Sequence, residues 1–119
     1  MICGVPVVGT PAEIDITNAA ELQTALLGAS ALAHGTFVVD MSRTQFCDSA
    51  GIHALVRAYK QSQSEGGEML LVVPGTAVLR VFAIIGVDRL IPNFPSLEEA
   101  LAQAPAACAR DPLADGAPG

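Results

Sequence analysis

The residues best able to do chemistry in this chain sit in one tetrapeptide, Asp48-Ser49-Ala50-Gly51. It follows an apolar run, Phe37-Val38-Val39-Asp40-Met41, and precedes Ile52, Leu55, Val56 and Tyr59, whose i, i+3, i+4, i+7 spacing lays them along one stripe of a helix. Ser49 therefore falls at a helix start, where free backbone N–H groups and the positive end of the helix dipole gather. Two roles fit a hydroxyl there. Asp48 or Ser49 can cap the helix, an arrangement worth roughly 1 kcal/mol. Alternatively, Ser49 accepts a phosphoryl group, which adds roughly −1.5 to −2 charges and three acceptor oxygens. A helix N-terminus tolerates that anion, whereas a partner pressed against the same spot need not. A catalytic role, with Asp48 as base for Ser49, lacks a third orienting group, and adjacent side chains at a helix start need not meet.

Other chemistry-bearing residues are few. His34 and His53 complete no Ser-His-Asp order; His34 suits a helix C-terminal end, and His53 lies one turn into the Ser49 helix, off its apolar stripe, open to solvent or a partner. Cys3, Cys47 and Cys108 form an odd set without CxxC spacing, which argues against a disulfide framework or a zinc site and fits a reduced cytosol. Cys47 reads as a buried small apolar residue, since its neighbour Asp48 would raise a thiol pKa. No glycine-rich phosphate cradle such as GxGxxG is present, so no cofactor is expected.

At 119 residues and 51% hydrophobic, the chain supports one domain with a real core. Six Lys+Arg against twelve Asp+Glu give a net charge of −6, which opposes direct nucleic-acid binding. The longest apolar stretches, Met69 to Pro74 and Val81 to Val87, fall far short of the ~20 residues that cross a bilayer. Met1 to Gly9 carries no signal-peptide pattern, so a cytoplasmic protein is expected.

Elements able to position Ser49 follow from periodicity and breakers. A strand is expected at Val5 to Val8. Ile14-Asp15-Ile16-Thr17 breaks the helical period, and Asn18-Ala19-Ala20-Glu21 caps a helix whose apolar face is Leu22, Ala25, Leu26 and Ala29, ending before His34-Gly35. Strand Thr36 to Met41 leads to the Ser49 helix, which runs to about Glu65 and stops at Gly66-Gly67. Met69 to Val73 reads as a buried strand, and Val78, Val81, Phe82 and Ile85 as a short helix closed by Gly86. A last strand is expected around Arg89-Leu90-Ile91, then a helix opened by the capping box Ser96-Leu97-Glu98-Glu99 and bearing Leu97, Ala100, Leu101 and Ala104 up to Pro105. Residues 106–119 lose periodicity and read as a flexible tail behind a domain at 1–105.

This alternation predicts an α/β domain with a mostly parallel four-stranded sheet and about four helices. Right-handed crossovers collect the strand-to-helix loops at one end, bringing Asp15, Asp48-Ser49 and Gly75-Thr76 together at the carboxyl ends of the strands.

On these residues the chain resembles the anti-sigma factor antagonists of the STAS family. Phe37 to Ser42 through Phe46-Cys47-Asp48-Ser49-Ala50-Gly51-Ile52 is similar to the family's strand, loop and phosphorylation motif, with Ser49 at the phosphoacceptor position. Glu13-Ile14-Asp15 resembles its earlier acidic loop, Asp15 matching the Asp beside the serine. Ile85 to Ile91 through Pro95 to Ala100 looks like its C-terminal half, and the likeness spans roughly Val5 to Ala104.

The resemblance implies a partner-switching cycle. The unphosphorylated protein docks on a GHKL-type serine kinase that serves as anti-sigma factor, and a sigma factor is released. Phosphorylation of Ser49 ends the complex, and a PP2C-type phosphatase restores the hydroxyl. The implied partner-facing set is Asp15, Asp48, Ala50, Gly51, Ile52 and His53, with Ile52 supplying contact area and the two aspartates an acidic field. Other readings are a STAS scaffold module in a multi-protein stress-sensing assembly and a small-ligand or nucleotide-binding domain. Family members carry an additional strand ahead of the one matching Val5 to Val8. Only four residues precede it here, so the edge strand is short or missing, or the true start lies upstream. An uncovered edge would invite a homodimer.

Overall fold

The computed structural model describes residues 5–32 and 35–103. Four parallel strands, β1 (Val7–Gly9), β3 (Thr36–Asp40), β5 (Glu68–Val72) and β6 (Asn93–Phe94), form a sheet in the order β1-β3-β5-β6. A second ladder pairs two short strands, β2 (Glu13–Ile14) and β4 (Phe46–Cys47), again in parallel. The helices are α1 (Ala19–Leu32), α2 (Ser49–Ser64), α3 (Thr76–Ile85), α4 (Val87–Leu90) and α5 (Leu97–Gln103).

Side chains alternate across a strand, so each apolar strand feeds two cores. Phe37 and Val39 of β3 and Met69 and Leu71 of β5 join the larger core, with Leu22 and Leu26 of α1, Leu55 of α2 and Phe82 of α3. Val38, Leu70 and Val72 point the other way, against Ala100 and Leu101 of α5. Burial on both faces explains why these strands read as unbroken apolar runs. Full burial of each large side chain contributes roughly 1.5–3 kcal/mol.

The expected parallel sheet and the run of α2 are present, and several details differ. The strand expected around Arg89-Leu90-Ile91 is instead the single helical turn α4, and β6 lies further on. Gly86 ends α3 in the left-handed region, at φ 97°, and its carbonyl then accepts from the N–H groups of Arg89 and Leu90. That turn buries Val87 and Ile91, four residues apart, in the larger core. Thus the apolar pair Leu90-Ile91 closes a helical turn, and pairing with β5 begins at Pro92, whose carbonyl accepts from Leu71 N–H. Ala25, expected on the buried face of α1, is exposed; Ala19, Leu22, Leu26 and Ala29 form that face. On α3 only Val78 and Phe82 are buried, leaving Val81 and Ile85 at 37% and 55% exposure. Among the described residues there are five helices where about four were expected, because α4 is added. Among the described residues β1 pairs only with β3 and so forms a sheet edge. His34, Ala104, Pro105 and the expected tail lie outside the described residues.

Candidate functional site

Two loops leaving the carboxyl ends of β1 and β3 are zipped together before either reaches its helix. The Thr44 hydroxyl donates to the Pro11 carbonyl at 2.7 Å and accepts from the Thr10 hydroxyl, and both threonines are buried. Gln45 N–H donates to the Ala12 carbonyl at 2.7 Å, and Asp48 N–H to the Ile14 carbonyl at 3.0 Å. With Ile14 opposite Cys47 in the β2–β4 register, Asp15 follows beside Asp48. The acidic loop and the serine loop are therefore neighbours, as the carboxyl-end placement requires.

Asp48 is the N-cap of α2. Its Oδ1 accepts from the N–H groups of Ala50 at 2.9 Å and Gly51 at 3.1 Å. Of the two candidate caps, then, Asp48 fills the role, and Ser49 is the first helical residue, exposed to solvent. Replacing Asp48 with Ala removes both bonds and should lower stability by about 1 kcal/mol, whereas Asp48→Asn should recover most of it; urea denaturation of the two variants checks this.

Asp15 is held by its own loop. Its Oδ1 accepts from the Thr17 N–H at 2.9 Å and from the Thr17 hydroxyl, while Asn18 turns backward, accepting from Asp15 N–H and donating to the Glu13 carbonyl. Asn18 was expected to cap α1 with Glu21 as its partner; its side chain bridges the acidic loop instead. The Thr17 hydroxyl bond first, and then the Thr17 N–H bond, hold the Asp15 carboxyl below the usual aspartate range. A depressed folded-state pKa means that this loop is best held above the ordinary aspartate pKa and loosens as pH falls through the lowered value. At neutral pH Asp15 is an anion beside Ser49.

Gly51 explains how close the two loops come. A Cβ built on it would lie 2.5 Å from Ile14 Cγ2 and 2.7 Å from Cys47 Sγ, so only hydrogen fits between α2 and the β2–β4 ladder. Cys47 itself is buried, and burial first, then the Asp48 charge, push its thiol up to about 12. The expected inert cysteine is what this environment produces. Alkylation at pH 8 mapped by mass spectrometry should leave Cys47 unmodified in the folded protein and modify it after denaturation.

The residues expected to face a partner divide. Ser49 and His53 are exposed, and Asp15, Asp48 and Ala50 are half-buried. Gly51 is buried, and Ile52, expected to supply contact area, is only 4% exposed and packs into the larger core, because the buried face of α2 runs through Gly51, Ala54, Leu55, Ala58 and Ser62. These two shape the site from behind. Apolar area at the rim comes instead from Ile16, 80% exposed one residue past Asp15, and Phe46, 52% exposed on β4. The available signal was a large apolar residue inside an otherwise polar loop. Among the described residues no group of three or more His, Cys, Asp or Glu side chains could hold a metal ion, and no helix is long and apolar enough to cross a membrane.

A parallel α/β sheet with an acidic loop zipped to a serine-bearing helix start defines the class of protein. The STAS domain family model matches residues 2–100, and the chain belongs to that family. It is similar to an anti-sigma factor antagonist from Mycobacterium paratuberculosis, with 32% identity over 83% of this chain and 84% of that one and a TM-score of 0.75. The unphosphorylated form of the anti-sigma factor antagonist SpoIIAA shares the fold at 21% identity, over 87% of this chain and 91% of that one, with a TM-score of 0.71. The phosphorylated form of SpoIIAA from Bacillus shares it at 20% identity, over 82% and 88%, with a TM-score of 0.61.

Proposed function

We propose that this chain is an anti-sigma factor antagonist that docks its Ser49 end on a GHKL-type serine kinase, frees a sigma factor from that kinase, and is switched off when Ser49 is phosphorylated. A PP2C-type phosphatase returns it to the binding form, and the cycle runs in the cytoplasm. The observation that carries the reading is the division of labour at the start of α2. Asp48 takes the cap, so the Ser49 hydroxyl stands exposed at the head of a helix that tolerates an anion. The likeness to the mycobacterial antagonist supports the role, and SpoIIAA has been seen in both phosphorylation states.

The chain serves as substrate and binding partner rather than as catalyst, since Asp48 is committed to backbone N–H groups. Ile16 and Phe46 supply apolar contact while Asp15 and Asp48 set a negative field that a cationic group on the kinase would complement. The test is a kinase reaction with the purified anti-sigma factor and ATP, read by intact mass. One phosphate on the wild type and none on Ser49→Ala, with the Ala variant still bound, is expected. Full labelling of the Ala variant would remove the site assignment. Absence of any complex with such a kinase would favour the scaffold reading.

A further inference from the structure

On the flank of α2 away from α1 lies an open groove of about 460 Å³, bounded by His53, Val56, Arg57 and Lys60 on one side and Ile85 and Leu90 on the other. No carboxylate lines it, although the chain carries twelve Asp and Glu. A second depression between α1 and α2, about 310 Å³, is also walled by Arg57 and Lys60 and again contains no acidic residue. The exposed face of α2 is thus a basic strip on a protein of net charge −6. Opposite it stands an apolar wall: Ile85 and Leu90 are 55% and 42% exposed. The left-handed Gly86 that turns α3 into α4 forms part of the groove.

We propose that this groove is a docking site for an acidic amphipathic helical segment of a partner protein. Its carboxylates lie along Arg57 and Lys60, and its apolar side chains cover Ile85 and Leu90. From His53 to Lys60 the strip runs seven residues, about 10 Å at 1.5 Å per residue, which two to three turns of a helix span. At physiological salt the Debye length of about 8 Å confines the interaction to the charges that line the groove, so the protein's overall negative charge does not repel a short acidic segment seated there. For a flat anionic membrane, the two cationic side chains that line the groove are fewer than the four to eight that mark lipid-binding clusters. His53 lies one turn from Ser49, so the groove begins where the phosphorylatable end stops. The inference does not depend on the role of Ser49.

The test uses a synthetic 14-residue helix with Leu at i, i+3, i+4 and i+7 and Glu at the flanking positions, titrated into the isotope-labelled full chain and followed by amide NMR. A control peptide carries Lys at every Glu position. Saturable shifts confined to residues 53–60 and 84–90 are expected with the acidic peptide. Binding should fall at least tenfold for the Arg57→Glu/Lys60→Glu double variant, which should in turn prefer the lysine peptide. Both side chains are exposed, so the variant's thermal unfolding should match the wild type. Equal binding of the two peptides, undiminished binding to the double variant, or no saturable binding would overturn the proposal. So would movement of the same signals with protein concentration alone, which would assign the groove to a second copy. Binding to phosphatidylserine vesicles that the double variant loses would assign it to a membrane.

Discussion

Phosphorylation of Ser49 is expected to weaken binding to the anti-sigma partner by more than a hundredfold while leaving the domain folded. The phosphate places roughly −1.5 to −2 charges next to Asp15, which its Thr17 hydrogen bonds keep ionised, and Asp48, which caps the helix beneath it. In the free protein that charge is solvated and faces the positive end of α2, so unfolding should be little changed. In the complex the same charge must be desolvated among like charges, and a coupling of about 3 kcal/mol already exceeds a hundredfold in affinity. Ser49→Asp should give a smaller loss, because it supplies one charge on a shorter side chain. Titration calorimetry of wild type, phosphoprotein and Ser49→Asp against the kinase gives the order directly. Equal affinities, or loss of binding accompanied by a collapse in unfolding temperature, would sink the electrostatic account. Raising the salt should narrow the gap between the three.

The second large effect is expected at Gly51. Gly51→Ala brings a methyl group within 2.5 Å of Ile14 Cγ2 and 2.7 Å of Cys47 Sγ, neither of which is the free end of a long flexible side chain. Overpacking costs about 1–3 kcal/mol, and two contacts under 3.0 Å place this one at about 2–3 kcal/mol, against the ~1 kcal/mol that Ala gains over Gly inside a helix. A net loss of about 1–2 kcal/mol corresponds to roughly 4–16 °C in a domain of this size, which differential scanning calorimetry resolves. Cys47→Ala removes one of the two clashing atoms, so the double variant should recover part of the loss. Additive effects would show that the clash is relieved elsewhere. Because the strain falls between α2 and the strand that leads into Asp15, Gly51→Ala should also weaken partner binding, even at temperatures where it stays folded.

Gly51 marks the limit of what composition and spacing disclose. Its presence after Ser49-Ala50 was plain, and so was the run of α2, because sixteen residues carry enough turns for a 3.6 period to register and Gly66 halts it at φ 81°. β5 was visible for a similar reason, as five apolar-rich residues between breakers. Two-residue strands such as β2 and β4 leave no period at all; they exist because of backbone bonds between segments more than thirty residues apart. One turn of helix at Val87–Leu90 is equally short, and two apolar neighbours at its end look the same whether they pair with a strand or cap a core. Val81, Ile84 and Ile85 illustrate a different blindness. An apolar side chain declares that it avoids water, not which of several surfaces removes it from water. The site split along these lines: a serine at a helix start and an acidic loop at the same end of the sheet could be read from element order, whereas the inward turn of Ile52 and the outward turn of Ile16 and Phe46 depend on how the loops are laced.

The lacing of the two loops also sets the tempo of the proposed switch. With the β2–β4 ladder ending just before Asp15 and Ser49, adding or removing a phosphate changes the charge of a surface whose two loops are already laced to each other. No slow rearrangement stands between the modification and its effect. Each phosphorylation then acts as a complete signal, with no memory of the state before it, and the response time belongs to the enzymes and to the partner's rate of departure.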